Sequence, residues 1–217
     1  MRKYVIVGVQ GSGKGTQSML LARDLGLVHI AVGAIFRRHV DDRTKLGARV
    51  RDVIAAGELV EDDVTEAVVR DRLELHDWNH GFVIDGFPRN RHQAEFFLER
   101  YDIDAVIHLD LPGDEARRRV LARRVCAECG ATEHGGTAHG VAGGARCEAC
   151  GGELIGRTDD TEESLAERLR LHRENIDSVL DAFRRKERVL TFDASPGVDA
   201  VQREIRRVLD LPPPSRP

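Results

Sequence analysis

The stretch Gly8-Val-Gln-Gly-Ser-Gly-Lys-Gly-Thr16 is the part of this chain that decides its fold. The apolar run Tyr4–Gly8 leads into it and predicts a buried strand, and the residues from Lys14 onward have helical spacing. Glycines between a strand and a helix let successive backbone N–H groups point inward, while the helix N-terminus and Lys14 add positive potential. The sequence therefore predicts a phosphate-binding loop made of Gly11, Ser12, Gly13, Lys14, Gly15 and Thr16.

Outward from this loop, short β-branched runs alternate with longer helical patterns. The runs are almost continuously apolar, which is typical of parallel strands covered on both faces. Five such strands interleaved with helices predict an α/β fold, a P-loop doubly wound five-stranded parallel sheet. A long helix follows Asp160, and Glu163 three residues later predicts a capping pair at its start. The predicted strands are Tyr4–Gly8, Leu27–Val32, Gly81–Asp85, Ala105–Leu109 and Arg188–Asp193, and the shorter predicted helices are Lys14–Leu25, Lys45–Ala56, Asp62–His76, Arg89–Arg100 and Asp114–Val125.

The composition limits the classes of protein that this chain can belong to. Its 217 residues are 41% hydrophobic, which is enough for one core and a small appendage. The formal net charge of −4 argues against a nucleic-acid binder that uses bulk positive charge. No apolar run reaches the roughly 18 residues of a membrane span, and the N-terminus lacks the pattern of a signal peptide. We therefore expect a cytoplasmic protein without membrane or nucleic-acid partners, with a disordered tail at residues 212–217.

A carboxylate stands at the end of the predicted strand Gly81–Asp85, the edge at which open α/β sheets bind ligands. An aspartate at a strand end is also common as a cap or turn residue. Beside a bound triphosphate, Asp85 would hold the water shell of Mg²⁺. The hydroxyl of Thr16, one place later than in the general motif, is assigned to the same shell.

Arginines are numerous in the second half of the chain. One interpretation is a solvated surface, as for most charge runs. The other is a clamp on phosphates, because phosphoryl transfer spreads negative charge over oxygens that the planar guanidinium group binds well. No catalytic serine–histidine pair is evident, which favours a phosphate acceptor over an alcohol, since an ionised phosphate attacks without a base. The candidates for the clamp are Arg89, Arg119, Arg123, Arg157 and Arg168.

The four cysteines form two similar knuckles, Cys126-Ala-Glu-Cys129 and Cys147-Glu-Ala-Cys150. Two Cys-x₂-Cys pairs at this spacing predict a four-thiolate zinc site, and four protein ligands make the metal structural. It would order the glycine-rich segment from Cys126 to Gly152, which shows neither helical nor strand periodicity. The alternatives are two disulfides or a redox pair, and His134 or His139 could replace a cysteine ligand.

Together these motifs resemble the adenylate kinases, of the long type whose lid carries zinc knuckles. The matching runs include Gly8–Thr16, Gly57–Val60, Gly81–Arg89 and Arg157–Asp160. The resemblance implies transfer of the γ-phosphoryl group of ATP to AMP by a monomer, with Mg²⁺ on the ATP and structural Zn²⁺ in the lid. It also implies one kinase domain with a core of residues 1–32, 62–123 and 159–211, a small helical acceptor lobe of residues 33–61 and a zinc-ribbon-like lid of residues 124–158.

The same resemblance implies a role for each site residue. The ATP-binding residues would be the phosphate-binding loop, Arg119 against the donor base, and Arg123. The AMP-binding residues would be Val32, Arg37, Val60, Gly86, Arg89, Gln93, Arg157 and Arg168. The catalytic residues would be Lys14, Arg89, Arg123, Arg157 and Arg168.

The chain departs from the family after the second predicted strand. It has Ala31-Val-Gly-Ala34 where adenylate kinases usually have Ser-Thr-Gly-Asp. Val32 cannot form a hydrogen bond beside the acceptor base, and kinases of pyrimidine monophosphates carry a small residue at the position of Val32, so a UMP/CMP kinase stays open as an alternative. Gln93 keeps a polar group that discriminates bases and favours AMP. A P-loop nucleotide-binding regulatory protein, with the zinc lobe as a contact for partners, is the third hypothesis.

Overall fold

The computed structural model describes residues 2–75, 80–129, 132–134 and 146–213. Residues 214–217 of the predicted tail and His139 lie outside the described residues, as does the side chain of His134. The elements in chain order are β1 (Lys3–Gly8), α1 (Lys14–Leu25), β2 (Val28–Ala31), α2 (Val32–Asp41), α3 (Lys45–Ala56), α4 (Asp62–Glu74), β3 (Phe82–Asp85), α5 (Arg91–Arg100), β4 (Ala105–Asp110), α6 (Gly113–Ala122), β5 (Arg123–Cys126), β6 (Thr132–His134), β7 (Leu154–Ile155), α7 (Glu162–Arg184), β8 (Val189–Asp193) and α8 (Val198–Val208).

A five-stranded parallel sheet with the order β2-β3-β1-β4-β8 forms the centre of the molecule. β1 pairs with β3 on one side and with β4 on the other. Strand order reverses beside β1, and ligands of open α/β sheets bind at such a switch point. The predicted five-stranded parallel sheet is confirmed, and it brings the glycine-rich loop after β1 next to the end of β3.

Alternate residues of β1 belong to two different hydrophobic clusters. Val5 and Val7 pack into one cluster, and Tyr4 and Ile6 pack into the other. Successive side chains of a strand point to opposite faces, so helices cover the sheet on both faces. This double cover explains why the strands read as continuous apolar runs. None of the described helices has the length and hydropathy that crossing a membrane requires.

The predicted helices Lys14–Leu25 and Lys45–Ala56 are confirmed with the same bounds. Each ends at a glycine in the left-handed region, with φ of 65° at Gly26 and 81° at Gly57. At Gly57 a Cβ would also lie 2.3 Å from the carbonyl oxygen of Ser164. The end of α3 therefore packs directly against the start of α7.

The predicted helix Asp114–Val125 is wrong at its C-terminal end. α6 stops at Ala122, and Arg123 begins β5, which pairs antiparallel with β6 and β7 in a separate three-stranded sheet. The segment Cys126–Gly152 therefore contains strand structure that its composition did not indicate. Pairing between segments distant in sequence outweighs local helical propensity here.

Three further predictions need correction. The cap of α7 is Thr161, whose Oγ1 accepts from the backbone N–H of Ser164 at 3.1 Å, and Asp160 is not the cap. The strand predicted as Leu27–Val32 ends at Ala31, because Val32 begins α2. Helices α2 and α8 have no counterpart among the predicted elements, and β-branched residues and a glycine in α2 weaken its helical signal.

Candidate active site

The loop after β1 has a backbone that only glycine adopts without strain at three points. Gly8, Gly11 and Gly13 have φ of 150°, 87° and 89°. At Gly8 a Cβ would lie 2.4 Å from the carbonyl oxygen of Leu109, so the neighbouring strand excludes any side chain. Gly13 is the N-cap of α1 and offers no side-chain cap, which leaves the first N–H groups of that helix for an anion. The geometry is that of a phosphate-binding loop.

The ammonium group of Lys14 lies over this loop. Its Nζ donates to the carbonyl oxygens of Gly8 and Val9, each at 2.8 Å. Burial lowers the pKa of Lys14 to about 8, although the nearby carboxylate of Asp85 opposes the shift. A phosphate bound at the loop would stabilise the charged form and raise this pKa. Lys14 therefore suits the binding of a multiply charged anion.

Three arginines and two aspartates, the arginine–aspartate cluster, face the loop across the cleft: Arg123, Arg157, Arg168, Asp159 and Asp160. Arg123 donates to both oxygens of Asp160, with Nε–Oδ2 at 2.9 Å and Nη2–Oδ1 at 2.6 Å. Asp159 accepts from Arg157 Nε at 2.9 Å and from Arg168 Nη2 at 3.1 Å. Each of the five side chains is at most 16% exposed. The carboxylates thus hold three guanidinium groups together.

With three arginines and two aspartates, this cluster has a net charge of +1. Burial would raise the pKa of Asp159, but hydrogen bonds and charges from Arg157 and Arg168 outweigh it and hold that pKa at about 2. The carboxylate of Asp159 therefore stays ionised across the physiological range. A set of fixed cations with a net positive charge can transfer its hydrogen bonds from carboxylate to phosphate oxygens.

Arg37 and Arg89 form no ion pair with any residue that the structure describes. Their guanidinium groups meet at Gly33, where a Cβ would lie 3.2 Å from Arg37 Nη1 and 3.6 Å from Arg89 Nη2. Arg89 lines the cleft, where protein atoms surround its side chain although part of it still reaches solvent, and its Nε donates to the carbonyl oxygen of Gly86 at 2.8 Å. Burial lowers the pKa of both residues, that of Arg37 to about 10. Two converging guanidinium groups with no described carboxylate within ion-pair distance are suited to a phosphate dianion.

Gln93 is 1% exposed, and its amide is held at both ends. Its Nε2 donates to Asp62 Oδ1 at 2.7 Å, and its Oε1 accepts from the backbone N–H of Arg89 at 2.8 Å. Asn90 caps α5 and also donates to Asp62. The orientation of the Gln93 amide is therefore fixed before any ligand binds. The cleft wall around it includes Val32, Val60 and Gly86.

Asp85 ends β3 and is 9% exposed. Its Oδ2 lies 2.6 Å from His29 Nε2 on the adjacent strand β2. A carboxylate held in one orientation at the edge of a phosphate site suits the water shell of a magnesium ion. Thr16 lies in the first turn of α1, directly after the loop. These residues fit the predicted magnesium site.

Arg119 lies outside the cleft that the other arginines line. Its Nε donates to Glu115 Oε1 at 2.7 Å, and its Nη1 and Nη2 donate to the carbonyl oxygens of Ala194 and Ser195 at 2.9 Å and 2.7 Å. These bonds hold the edges of the guanidinium plane and leave its face for stacking. The role of Arg119 against the donor base stays a prediction.

The Sγ atoms of the four cysteines lie within 4.8 Å of one another. The Cys126–Cys150 and Cys129–Cys147 sulfur distances are 3.4 Å and 3.6 Å, and all four cysteines are free. A tetrahedral zinc ion with Zn–S bonds of about 2.3 Å brings sulfurs to about 3.8 Å, so this donor set fits zinc. The backbone N–H of Cys129 lowers the pKa of the Cys126 thiol to about 7, which favours a thiolate.

All the predicted AMP-binding and catalytic residues line one cleft: Lys14, Val32, Arg37, Val60, Gly86, Arg89, Gln93, Arg123, Arg157 and Arg168. The other loop glycines, Ser12, Thr16, Asp85, Arg119 and the four cysteines lie outside its lining. Sequence reasoning did not assign a role to Gln10, His29 or Asp159. The role of Asp159 could have been predicted from its position two residues after the candidate Arg157, because a buried carboxylate needs a cationic partner.

The phosphate-binding loop and the cleft arginines define a P-loop phosphotransferase with a phosphate group as acceptor. The model of the adenylate kinase family matches residues 6–188. An adenylate kinase of Symbiobacterium thermophilum is 40% identical over 210 residues, covering 94% of this chain and 97% of the relative. Adenylate kinases of Caldanaerobacter subterraneus and Streptomyces avermitilis are each 37% identical, covering 95% and 92% of this chain and 96% and 93% of the relatives. The chain belongs to the adenylate kinase family.

Proposed function

We propose that this chain transfers the γ-phosphoryl group of ATP to AMP and forms two molecules of ADP. The observation that carries the proposal is the pairing of two phosphate sites in one cleft. One is the glycine-rich loop with Lys14. The other consists of the guanidinium groups of Arg37 and Arg89, which converge and form no ion pair with any described residue. Relatives that match 93–97% of their own length are named adenylate kinase.

The donor nucleotide binds through its phosphates. The N–H groups of Gly11–Thr16 surround the β-phosphate, and the ammonium group of Lys14 leaves the loop carbonyls for the outer phosphate oxygens. Arg119 contacts the donor base from outside the cleft. The geometry of the loop supports this assignment, because the positive φ of Gly11 and Gly13 gives the turn that leads into the uncapped N-terminus of α1.

The acceptor attacks without a general base. Its phosphate has a second pKa near 6 and is mostly a dianion at neutral pH. Arg37 and Arg89 bind it, and one of its oxygens attacks the γ-phosphorus as the bond from that phosphorus to the β-phosphate oxygen breaks. The guanidinium groups of Arg123, Arg157 and Arg168 bind the oxygens of the transferring group, on which charge develops.

Magnesium is the second requirement of the donor site. When bound, the ion would neutralise negative charge on the phosphate oxygens. Asp85 would hold a water of its shell, His29 fixes the orientation of that carboxylate, and Thr16 would offer a hydroxyl from the first turn of α1. Because residue 34 is alanine, Asp85 would be the one carboxylate among the predicted ligands of this shell.

The chain divides into a core, an acceptor lobe of residues 33–61 and a lid of residues 124–158. The two ends of the lid meet where Arg123 binds Asp160. The acceptor lobe meets α7 where Arg168 Nη2 donates to the carbonyl oxygen of Ile54 at 2.9 Å. Closure of the lid over ATP excludes water, so the phosphoryl group passes to the acceptor and not to solvent. We expect a monomer, because one chain holds both nucleotides.

The identity of the acceptor is tested with a panel of monophosphates. With ATP and Mg²⁺, we expect kcat/KM for AMP to exceed that for UMP, CMP and GMP by at least about 10²-fold, because a fixed amide rejects bases that leave it unpaired. A preference for UMP or CMP would instead identify a pyrimidine monophosphate kinase. Nucleotide binding without ADP formation from any monophosphate would identify a regulatory protein.

We assign structural zinc to Cys126, Cys129, Cys147 and Cys150. The purified protein should contain about one zinc per chain, and its removal by a chelator should lower the melting temperature, because metal binding is coupled to folding of the lid. Metal analysis and thermal unfolding measure these quantities. Matched substitution of Cys126→Ser should abolish the zinc content, whereas a metal-free protein with free thiols and unchanged stability would contradict the assignment.

A further inference from the structure

Gln10 connects the phosphate-binding loop to the arginine–aspartate cluster. Its Nε2 donates to Asp160 Oδ1 at 3.0 Å, and its Oε1 accepts from Arg168 Nη1 at 3.3 Å. These partners are 150 and 158 residues away along the chain. Gln10 lines the same cleft as Lys14, so this link lies beside the phosphates of the proposed reaction.

Asp160 is the point at which the ends of the lid are joined. It accepts two hydrogen bonds from Arg123, the residue that precedes residues 124–158, and its side chain is 4% exposed. Arg168, the second partner of Gln10, also donates to the backbone carbonyl of Asp159 at 2.9 Å. Gln10 therefore attaches the phosphate-binding loop to the base of the lid and to α7.

The position of Gln10 requires a side chain with both a hydrogen-bond donor and a hydrogen-bond acceptor, and an amide group has both. It donates to a carboxylate and accepts from a guanidinium group with one side chain. A carboxylate at this position would repel Asp160, and an ammonium group would repel Arg168. The surroundings are partly buried, which strengthens a satisfied hydrogen bond and raises the cost of an unpaired group.

We propose that Gln10 is a positioning residue for phosphoryl transfer. Arg123 and Arg168 exchange hydrogen bonds to Asp159 and Asp160 for hydrogen bonds to the transferring group, and this exchange leaves a buried carboxylate with fewer partners. The N–H of Gln10 stays on Asp160 during the exchange and keeps it beside the loop. The proposal rests on the proposed function, because it concerns the rate of that transfer.

The first test replaces the amide with an apolar chain of similar length, Gln10→Met. We expect kcat for ADP formation to fall on the order of 10-fold, because displaced catalytic groups lose rate steeply. KM for ATP should change less than about threefold, since loop contacts to the donor remain. The melting temperature should change little, because Asp160 keeps its bonds to Arg123 and Arg168 keeps its bond to Asp159, and this separates positioning from a structural role. An unchanged kcat, or a fall in kcat that follows a loss of thermal stability, would overturn the proposal.

The second test replaces the amide group of Gln10 with a carboxylate. Gln10→Glu should lower kcat further than Gln10→Met, because its carboxylate faces that of Asp160. In the double variant with Asp160→Asn, an amide again faces a carboxylate, so the combined loss should be smaller than the product of the single losses. Multiplicative losses would overturn the proposal. The wild-type enzyme is assayed first, because absence of ADP formation there contradicts the proposed function and says nothing against Gln10 alone.

Discussion

Lys14→Met should lower the rate of ADP formation from ATP and AMP by at least about 10³-fold, because the charge that follows the outer phosphates through the reaction is lost. Methionine has a similar length and fits the same path over the loop, so the loop backbone is expected to keep its shape. The hydrogen bonds from Nζ to the carbonyl oxygens of Gly8 and Val9 belong to the nucleotide-free state and face a cleft open to water. The loss of rate therefore reports catalysis and not folding.

The pH dependence provides a second measurement on Lys14. The pKa of about 8 in the nucleotide-free protein lies below the ordinary value of 10.5. Above pH 8 the free enzyme loses this proton, while bound phosphates favour the charged form, so binding of ATP requires proton uptake and should weaken as pH rises. Lys14→Met should lack this weakening, and calorimetry in two buffers of different ionisation enthalpy measures the uptake. If folded Lys14→Met forms ADP at the rate of the unaltered protein, the catalytic role of Lys14 is refuted.

The central sheet could be predicted because its signals are local. Five apolar runs of strand length alternate with helical patterns. The run Tyr4–Gly8 leads into a glycine-rich stretch that is typical of a phosphate-binding loop. Parallel pairing buries both faces, which makes such strands visible as continuous apolar runs. The same logic located Asp85 at the ligand-binding edge, because the end of a parallel strand follows from its direction.

The small sheet of β5, β6 and β7 could not be predicted in the same way. β5 begins directly after α6, and its residues Arg123–Cys126 continue the helical spacing of the preceding turn. Its strand conformation depends on partners that lie further along the chain, β6 and β7. Short strands that border a cluster of cysteines have few apolar residues, so local pattern says little about them.

The contacts within the site depend on long-range geometry. The arginines of the cleft were identified as candidates by type and motif, yet their carboxylate partners were not. Asp160 was assigned to a helix cap, a local role, whereas its side chain binds Arg123, which is 37 residues earlier in the chain. Sequence reasoning gave no role to Gln10 or His29, and only the tertiary fold brings them to Asp160 and Asp85.

Arg89→Met should lower kcat/KM for AMP by about 10³-fold, because it removes one of two guanidinium groups that converge without a carboxylate on the acceptor site. Both KM for AMP and kcat should change, since the same contact positions the attacking phosphate. The affinity for ATP alone should stay within about twofold, because the donor site lies on the phosphate-binding loop. Steady-state kinetics and calorimetry with ATP measure the two effects.

A lysine at the same position separates charge from geometry. Arg89→Lys keeps the cation but removes the planar group, whose Nε bond to Gly86 at 2.8 Å sets its orientation, so activity should recover only in part. The matched control is Arg91→Met on the outer face of α5, where an exposed ion pair with Glu95 contributes little to stability. This control should retain full activity. Equal losses in Arg89→Met and Arg91→Met would show that the effect does not come from the acceptor site. A loss in Arg89→Met alone would support binding of the attacking phosphate beside Gly33, where the guanidinium groups of Arg37 and Arg89 meet.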